Sequence, residues 1–210
     1  MKKILIAVPS MDTVPAQFAQ SLATINRVES CAVAFQIGSL IYTSRNRLAM
    51  IALQNEYDYI LWLDSDMVFN PDTLEKLWQY RDLGDIITGL YFRRVEPYTP
   101  VLFSKLDITE TEAVTEDITE IPLEPFEVAG CGFGCVLMPT ELFIDIVNKH
   151  GNLFAPIRGV GEDLSFCYRA RQCGYKIVCV PEVQLGHIGH YTITKEFYDV
   201  YRVKNESKNH

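Results

Sequence analysis

The stretch YILWLDSDMVFNPDTLEKL, residues 59–77, decides the fold. Tyr59 to Leu63 is a short apolar run that reads as a buried strand. It ends on Asp64-Ser65-Asp66, three polar residues that cannot continue a covered strand. A helix is then expected over Pro71–Tyr80, with Asn70 as N-cap and Pro71 at the first helical position, where its missing N–H has no partner to lose. Strand, acidic turn and helix in that order form one unit of an α/β sheet.

The flanking sequence repeats the alternation. Lys3 to Val8 is a β-branched run ending in Pro9-Ser10, and Asp12 to Val28 places Phe18, Leu22, Ile25 and Val28 at helical spacing. Cys31 to Ile37 reads as a second strand. Ser44 to Gln54 reads as a helix, with Ser44 as N-cap and Leu48, Ile51 and Ala52 on one face. Asp85 to Tyr91 is a fourth strand. Such alternation predicts a mostly parallel sheet covered on both faces, an αβα sandwich, with ligands at the carboxyl ends of its strands. Pro9-Ser10 and Asp64-Ser65-Asp66 both fall at such ends.

The second half is less regular. Asp107-Ile-Thr-Glu recurs as Asp117-Ile-Thr-Glu, which fits either an acidic hairpin or a mobile surface insertion. Val128 to Met138 holds Gly130, Gly132 and Gly134, a spacing that admits close backbone approach or a tightly packed bend. Helices are expected over Pro139–His150 and Glu162–Cys173, the latter closed by Gly174, with a last strand over Tyr175–Val180.

Composition bounds the function. The chain has 210 residues, 48% apolar and 22% charged, enough for one large core. No stretch is long and apolar enough to span a membrane. The opening MKKILIAVPSMD imitates a signal peptide, but its apolar run is too short and meets Pro9 and Asp12. The net charge is −8; removing the −7 carried by residues 107–124 leaves −1 for the rest. A body so nearly neutral carries no nucleic-acid footprint. None of the six cysteines forms a C-x-x-C pair and most sit in apolar runs; with the opening read as a strand rather than an export signal, reduced thiols in a cytoplasmic protein are expected.

Four clusters carry chemistry. Asp64 and Asp66 are carboxylates one residue apart at a strand end, suited to sharing Mg²⁺ or Mn²⁺ with a phosphate ligand. Glu162 and Asp163 open a helix, where acids either cap the dipole or act as a general base. His187 and His190 follow the last strand, and a neutral imidazole there fits either a structural role or a place in a metal site. Arg45 and Asn46 open a helix at Ser44-Arg45-Asn46-Arg47, where Arg can clamp a phosphate or simply be solvated.

Taken in order, these elements resemble the family 2-like glycosyltransferases of the GT-A fold. The matching residues are Pro9-Ser10, SRNRLA (44–49), YILWLDSDMVFNPDTLEKL (59–77), TGLYFRR (88–94), AGCGFGCVLMPTELF (129–143), GEDLSFCYRARQCGYKI (161–177) and LGHIG (185–189). The resemblance implies a Rossmann-like GT-A domain over 1–203. Its nucleotide-binding half would cover about 1–92 and its acceptor half about 93–203, with an acidic insertion at 107–124 and a flexible tail at 204–210. It further implies a hexosyltransferase that moves a single sugar from a nucleotide-diphosphate donor, UDP- or GDP-linked, to a hydroxyl acceptor, with inversion.

Residue by residue, the resemblance puts Asp64 near ribose and metal, and makes Asp66 the ligand of a Mn²⁺ or Mg²⁺ ion. His187 would be a third ligand, with His190 in reserve. Pro9, Ser10, Arg45, Asn46 and Ser65 would face the nucleotide. Asp163 would be the acceptor-activating base beside Glu162. Gly130 to Gly134 would floor the cleft, where Tyr91, Phe92 and Phe133 can stack on a sugar or pack in the core. One departure is the end of the second strand, where Gln36 replaces the acidic residue that often faces the base; Gln36 would itself bond the base as part of the nucleotide site. The synthase signature Gln-x-x-Arg-Trp is absent, so a soluble, single-addition enzyme is expected. Two rival readings are a nucleotidyltransferase acting on sugar phosphates and a non-catalytic nucleotide- or sugar-binding module.

Overall fold

In the computed structural model, which describes residues 1–189 and 192–206, the run after Met1 forms strand β1 (Lys3–Ser10). From Ile4 onward it is buried on both faces, which is why it reads as an unbroken apolar run. Helix α1 (Ala16–Thr24), strand β2 (Ser30–Ile37), helix α2 (Ile41–Gln54) and strand β3 (Tyr59–Leu63) follow. Next come the short strand β4 (Met67–Val68), helix α3 (Thr73–Gln79), a 3-10 turn (Arg81–Leu83) and strand β5 (Ile86–Leu90). The second half supplies β6 (Leu102–Ile108), β7 (Ala113–Asp117), β8 (Phe126–Val128), β9 (Gly130–Cys131) and β10 (Cys135–Pro139). Helices α4 (Leu142–His150) and α5 (Glu162–Gln172) precede β11 (Ile177–Gln184), β12 (Gly186–Ile188), β13 (Thr192–Ile193) and helix α6 (Lys195–Glu206).

Seven strands form the main sheet in the order β2-β1-β3-β10-β5-β11-β8. β2, β1 and β3 pair in parallel, as do β5 and β11. β10 enters antiparallel between β3 and β5, and β8 lies antiparallel beside β11. The sheet is therefore mixed. The parallel arrangement expected from strand–helix alternation holds where helices separate the strands. It fails at β10 and at β8, neither of which has a crossover helix leading into it from β5.

Alternate residues feed two cores. Leu5, Ala7, Ile60 and Trp62 pack with Leu48 of α2, Phe143 of α4 and Phe166 of α5. Ile4, Ile6, Val8, Leu61 and Leu63 pack with Phe18 of α1 and Leu74 and Leu77 of α3. The period-two division gives the expected three layers. Among the described residues no helix is long and apolar enough to cross a membrane.

Several local expectations shift. α2 begins at Ile41, so Ser44 lies inside it: its N–H donates to the Leu40 carbonyl and its hydroxyl pairs with that of Ser39 at 2.7 Å. α3 begins at Thr73 behind a turn formed by Pro71 and Asp72, with the Asn70 carbonyl accepting the Thr73 N–H. The acidic segment does contain a hairpin, β6–β7, and β6 also pairs with β9. The second Asp-Ile-Thr-Glu starts only at the last residue of β7, so the sequence echo is not a pair of matched strands.

One small sheet matters for the site. β12 pairs antiparallel with β4, setting Gly186 opposite Val68 and His187 opposite Met67. A Cβ at Gly186 would lie 2.5 Å from Thr192 Cγ2 on the neighbouring strand β13, so any larger residue there would have to displace that side chain.

Candidate functional site

A cleft of about 350 Å³ opens at the carboxyl ends of β1 and β3. Pro9, Ser10 and Met11 border it at the end of β1, and Asp64, Ser65 and Asp66 just after β3. Ser39, Ile41, Ser44 and Arg45 close it from the start of α2, Glu162 and Asp163 from the start of α5, and Arg94 from the loop after β5. The sheet thus gathers residues separated by most of the chain, at the place where strand ends leave backbone polar groups free to face a ligand.

Arg45 organises the floor. Its side chain is 2% exposed and lies over the rings of Trp62 and Phe133, 5.6 and 5.1 Å from their centroids. Nη2 donates to Asp64 Oδ1 at 2.7 Å and Nε donates to Glu162 Oε1 at 3.2 Å. A desolvated guanidinium needs such charged partners, and here they tie the β3 turn to the α5 terminus. Arg45 is therefore a buried cross-link between two walls of the cleft rather than the exposed phosphate clamp that its sequence position suggests. Its Nη1 is buried without a hydrogen-bond partner among the described residues.

Asp66 faces His187. The Phe92 carbonyl lies 2.8 Å from His187 Nδ1 and can only accept, so Nδ1 carries a proton and Nε2 is the nitrogen turned toward Asp66. Nε2 is 3.4 Å from Asp66 Oδ2. A ring nitrogen fixed this way, beside a carboxylate oxygen, is the usual preparation of a metal-ligating histidine. Two donors 3.4 Å apart can share one ion, since two bonds of about 2.1 Å reach farther than that. Burial pushes the Asp66 carboxyl up, but hydrogen bonding and positive charge from His187, when its ring is protonated, and the charge of Arg94 outweigh it and hold the carboxyl below the usual range.

Asp64 does not join this pair, because Arg45 holds it. Among the described residues, no three His, Cys, Asp or Glu side chains converge on one point. Of the three residues expected to share an ion, only Asp66 and His187 face each other, and His190 lies outside the described residues. Charge still favours a divalent cation: four carboxylates and two arginines line the cleft, a formal −2 when all are ionised.

Asp163 differs from its neighbour. Glu162 is bonded to Arg45, whereas among the described residues Asp163 Oδ1 accepts from its adjacent Leu164 N–H alone, at 2.7 Å. Burial first, then the Glu162 charge, raise its pKa from 3.8 to about 6. A carboxylate poised there is ionised at neutral pH yet basic enough to take a proton. Gly161 makes room for it, since a Cβ would lie 2.8 Å from Asp163 Oδ1. Of the two acids, Asp163 alone is available as a base.

Other expectations are corrected. Gln36 and Asn46 lie outside the cleft and line a separate groove of about 530 Å³ with Tyr42 and Met50. Gln36 sits on the edge strand, and Asn46 lies one position past Arg45, turned about 100° around the helix axis. Tyr91, Phe92 and Phe133 are buried in the core, the packing alternative of the two uses expected for them. Gly132 and Gly134 serve Tyr91: a Cβ on Gly132 would sit 2.0 Å from its hydroxyl, and the Gly134 N–H donates to that hydroxyl. Sequence reasoning does not single out Arg94, whose only signal is an Arg93-Arg94 pair just past a strand.

No protein-family model matches the chain, and no curated protein matches it. Among solved structures it is similar to A197 from STIV, with a TM-score of 0.64 and 18% identity over 90% of this chain and 86% of that one. At that identity the likeness establishes a shared mixed α/β fold.

Proposed function

We propose that this chain is a GT-A-type glycosyltransferase, transferring one sugar from a nucleotide-diphosphate donor to a hydroxyl acceptor with inversion. The observation that carries this reading is the convergence in one strand-end cleft of Asp64, Asp66 and Asp163, with His187 oriented so that its Nε2 faces Asp66. The nucleotide would lie along Pro9, Ser10 and Ser65. Asp66 and His187 would hold Mn²⁺ or Mg²⁺, which supplies positive charge for the departing diphosphate.

Asp163 takes the proton of the acceptor hydroxyl as its oxygen bonds to the anomeric carbon. The bond from that carbon to the diphosphate breaks, and its electron pair leaves with the phosphate oxygen. Arg45 keeps Asp64 and Glu162 in place, so the cleft walls need not reorganise as charge moves. All six cysteines are free, which fits a reducing compartment such as the cytoplasm.

The test is thermal shift and donor hydrolysis with UDP-, GDP- and TDP-sugars, with and without Mn²⁺, on wild type and Asp66→Ala. A Mn²⁺-dependent response to one nucleotide that Asp66→Ala loses supports the reading. Full metal-dependent turnover by Asp66→Ala overturns the metal assignment, and silence toward every donor overturns the transferase.

A further inference from the structure

Asp66 Oδ2 is claimed twice. It lies 3.4 Å from His187 Nε2 and accepts a hydrogen bond of 2.7 Å from Arg94 Nη1. The same Nη1 donates to the Ile188 carbonyl at 3.3 Å, so the guanidinium sits over the β12 strand beside the histidine. One oxygen cannot keep a 2.7 Å contact to a guanidinium nitrogen and also bind a divalent ion bridged to His187 without the two cations meeting at close range.

The loop bearing Arg94 is anchored at its base, and among the described residues Arg94 itself is held only at the tip of its side chain. Arg93 is anchored: its N–H donates to the Thr99 carbonyl, and its guanidinium binds Asp117 Oδ1 at 2.8 Å. Thr99 bonds the other oxygen of Asp117, and Phe92 bridges to Pro100. Asp117 of the acidic segment thus clamps the base of the loop. Arg94, next in the chain, has a side chain 51% exposed and held by two contacts at its tip, on the border of the cleft. A long side chain on a fixed stem can exchange one anionic partner for another at small cost.

We propose that Arg94 is a second diphosphate-binding cation that competes with the divalent ion for Asp66, so that metal occupancy releases its guanidinium to the phosphates. This rests on the transferase reading of the same cleft. It makes metal and diphosphate mutually reinforcing: the ion displaces Arg94 from Asp66, the displaced Arg94 strengthens diphosphate binding, and by linkage the diphosphate tightens the ion. It also assigns the acidic segment a local purpose, as the anchor of Arg93.

The experiment measures Mn²⁺ binding by electron paramagnetic resonance without nucleotide, then UDP and GDP binding by calorimetry at saturating Mn²⁺. The proteins are wild type, Arg94→Gln and Arg94→Lys. Arg94→Gln is expected to bind Mn²⁺ about tenfold more tightly and the nucleoside diphosphate at least tenfold more weakly, the loss of one charge-assisted contact in each case. Arg94→Lys, a point charge without the planar fork, should fall between them. Equal Mn²⁺ affinity in wild type and Arg94→Gln, or undiminished diphosphate binding, overturns the role of Arg94 and leaves the transferase reading standing. Failure of both proteins to bind Mn²⁺ overturns both.

Discussion

Replacing Asp163 by Asn should make the protein more stable and less active, and the size of the first effect follows from the site. The folded pKa is raised from 3.8 to about 6, so the fold favours the neutral acid. A gap of that size, at 1.36 kcal/mol per pH unit, sets a ceiling of about 3 kcal/mol on what the ionised carboxylate costs the fold. The sign follows from the direction. Below pH 3.8 the side chain is protonated folded or unfolded and costs nothing; the cost grows as pH rises from there and is complete above about 6.

Asn removes the charge and keeps an oxygen for the Leu164 N–H that Asp163 accepts at 2.7 Å. At pH 8 the melting temperature of Asp163→Asn should exceed wild type by up to about 6–12 °C, on the usual 2–4 °C per kcal/mol for chains of this size. About half the free-energy advantage should survive at pH 5, and about a sixth at pH 4. Turnover should fall by about 10²–10⁴-fold, the usual worth of a general base, while wild-type activity rises with pH through an inflection near 6. Thermal melts of both proteins from pH 4 to 8, with donor turnover at each pH, read all of this. A variant no more stable at pH 8, or a difference that stays constant on acidification, refutes the electrostatic account of Asp163.

Three further outcomes are expected. Arg45→Met should cost about 3–5 kcal/mol in chemical denaturation by stranding Asp64 and Glu162, and Asp64→Asn with Glu162→Gln in the same chain should recover most of it. Gly132→Ala should cost about 1–3 kcal/mol through its contact with the Tyr91 hydroxyl, and pairing it with Tyr91→Phe should give a loss smaller than the sum of the two singles, measured as a double-mutant cycle. Gln36→Ala and Asn46→Ala should leave nucleotide affinity within about twofold of wild type by calorimetry, since both side chains face the separate groove.

What the sequence revealed and what it hid divide along a physical line. Strands buried on both faces are legible because every position must be apolar, so β1 and β3 could be read to within a residue or two, and the acidic turn after β3 announced the cleft. Where a strand sits in the sheet is less legible. β10 is as apolar as β3, and nothing in its five residues says that it runs the other way; the direction follows from the missing crossover helix before it. The mixed sheet is thus a consequence of connection length rather than of strand composition.

Side-chain partners are the least legible, because one chemistry serves opposite ends. The carboxylates of Asp64 and Asp66 are one residue apart, yet successive positions after a strand diverge, and each found a different cation: Asp64 the buried Arg45, Asp66 the half-exposed Arg94. Spacing alone gave them one metal. Two facts beyond spacing separate them, the rings of Trp62 and Phe133 that draw Arg45 inward and the Phe92 carbonyl that turns His187 toward Asp66. Both come from residues that the sequence reads as plain core. The chemistry of this cleft is therefore set as much by which cation is locked under it as by which acids line it: a fixed Arg45 leaves Asp64 no freedom to follow a ligand, so any response to bound charge must come from Asp66, His187 and the side chain of Arg94.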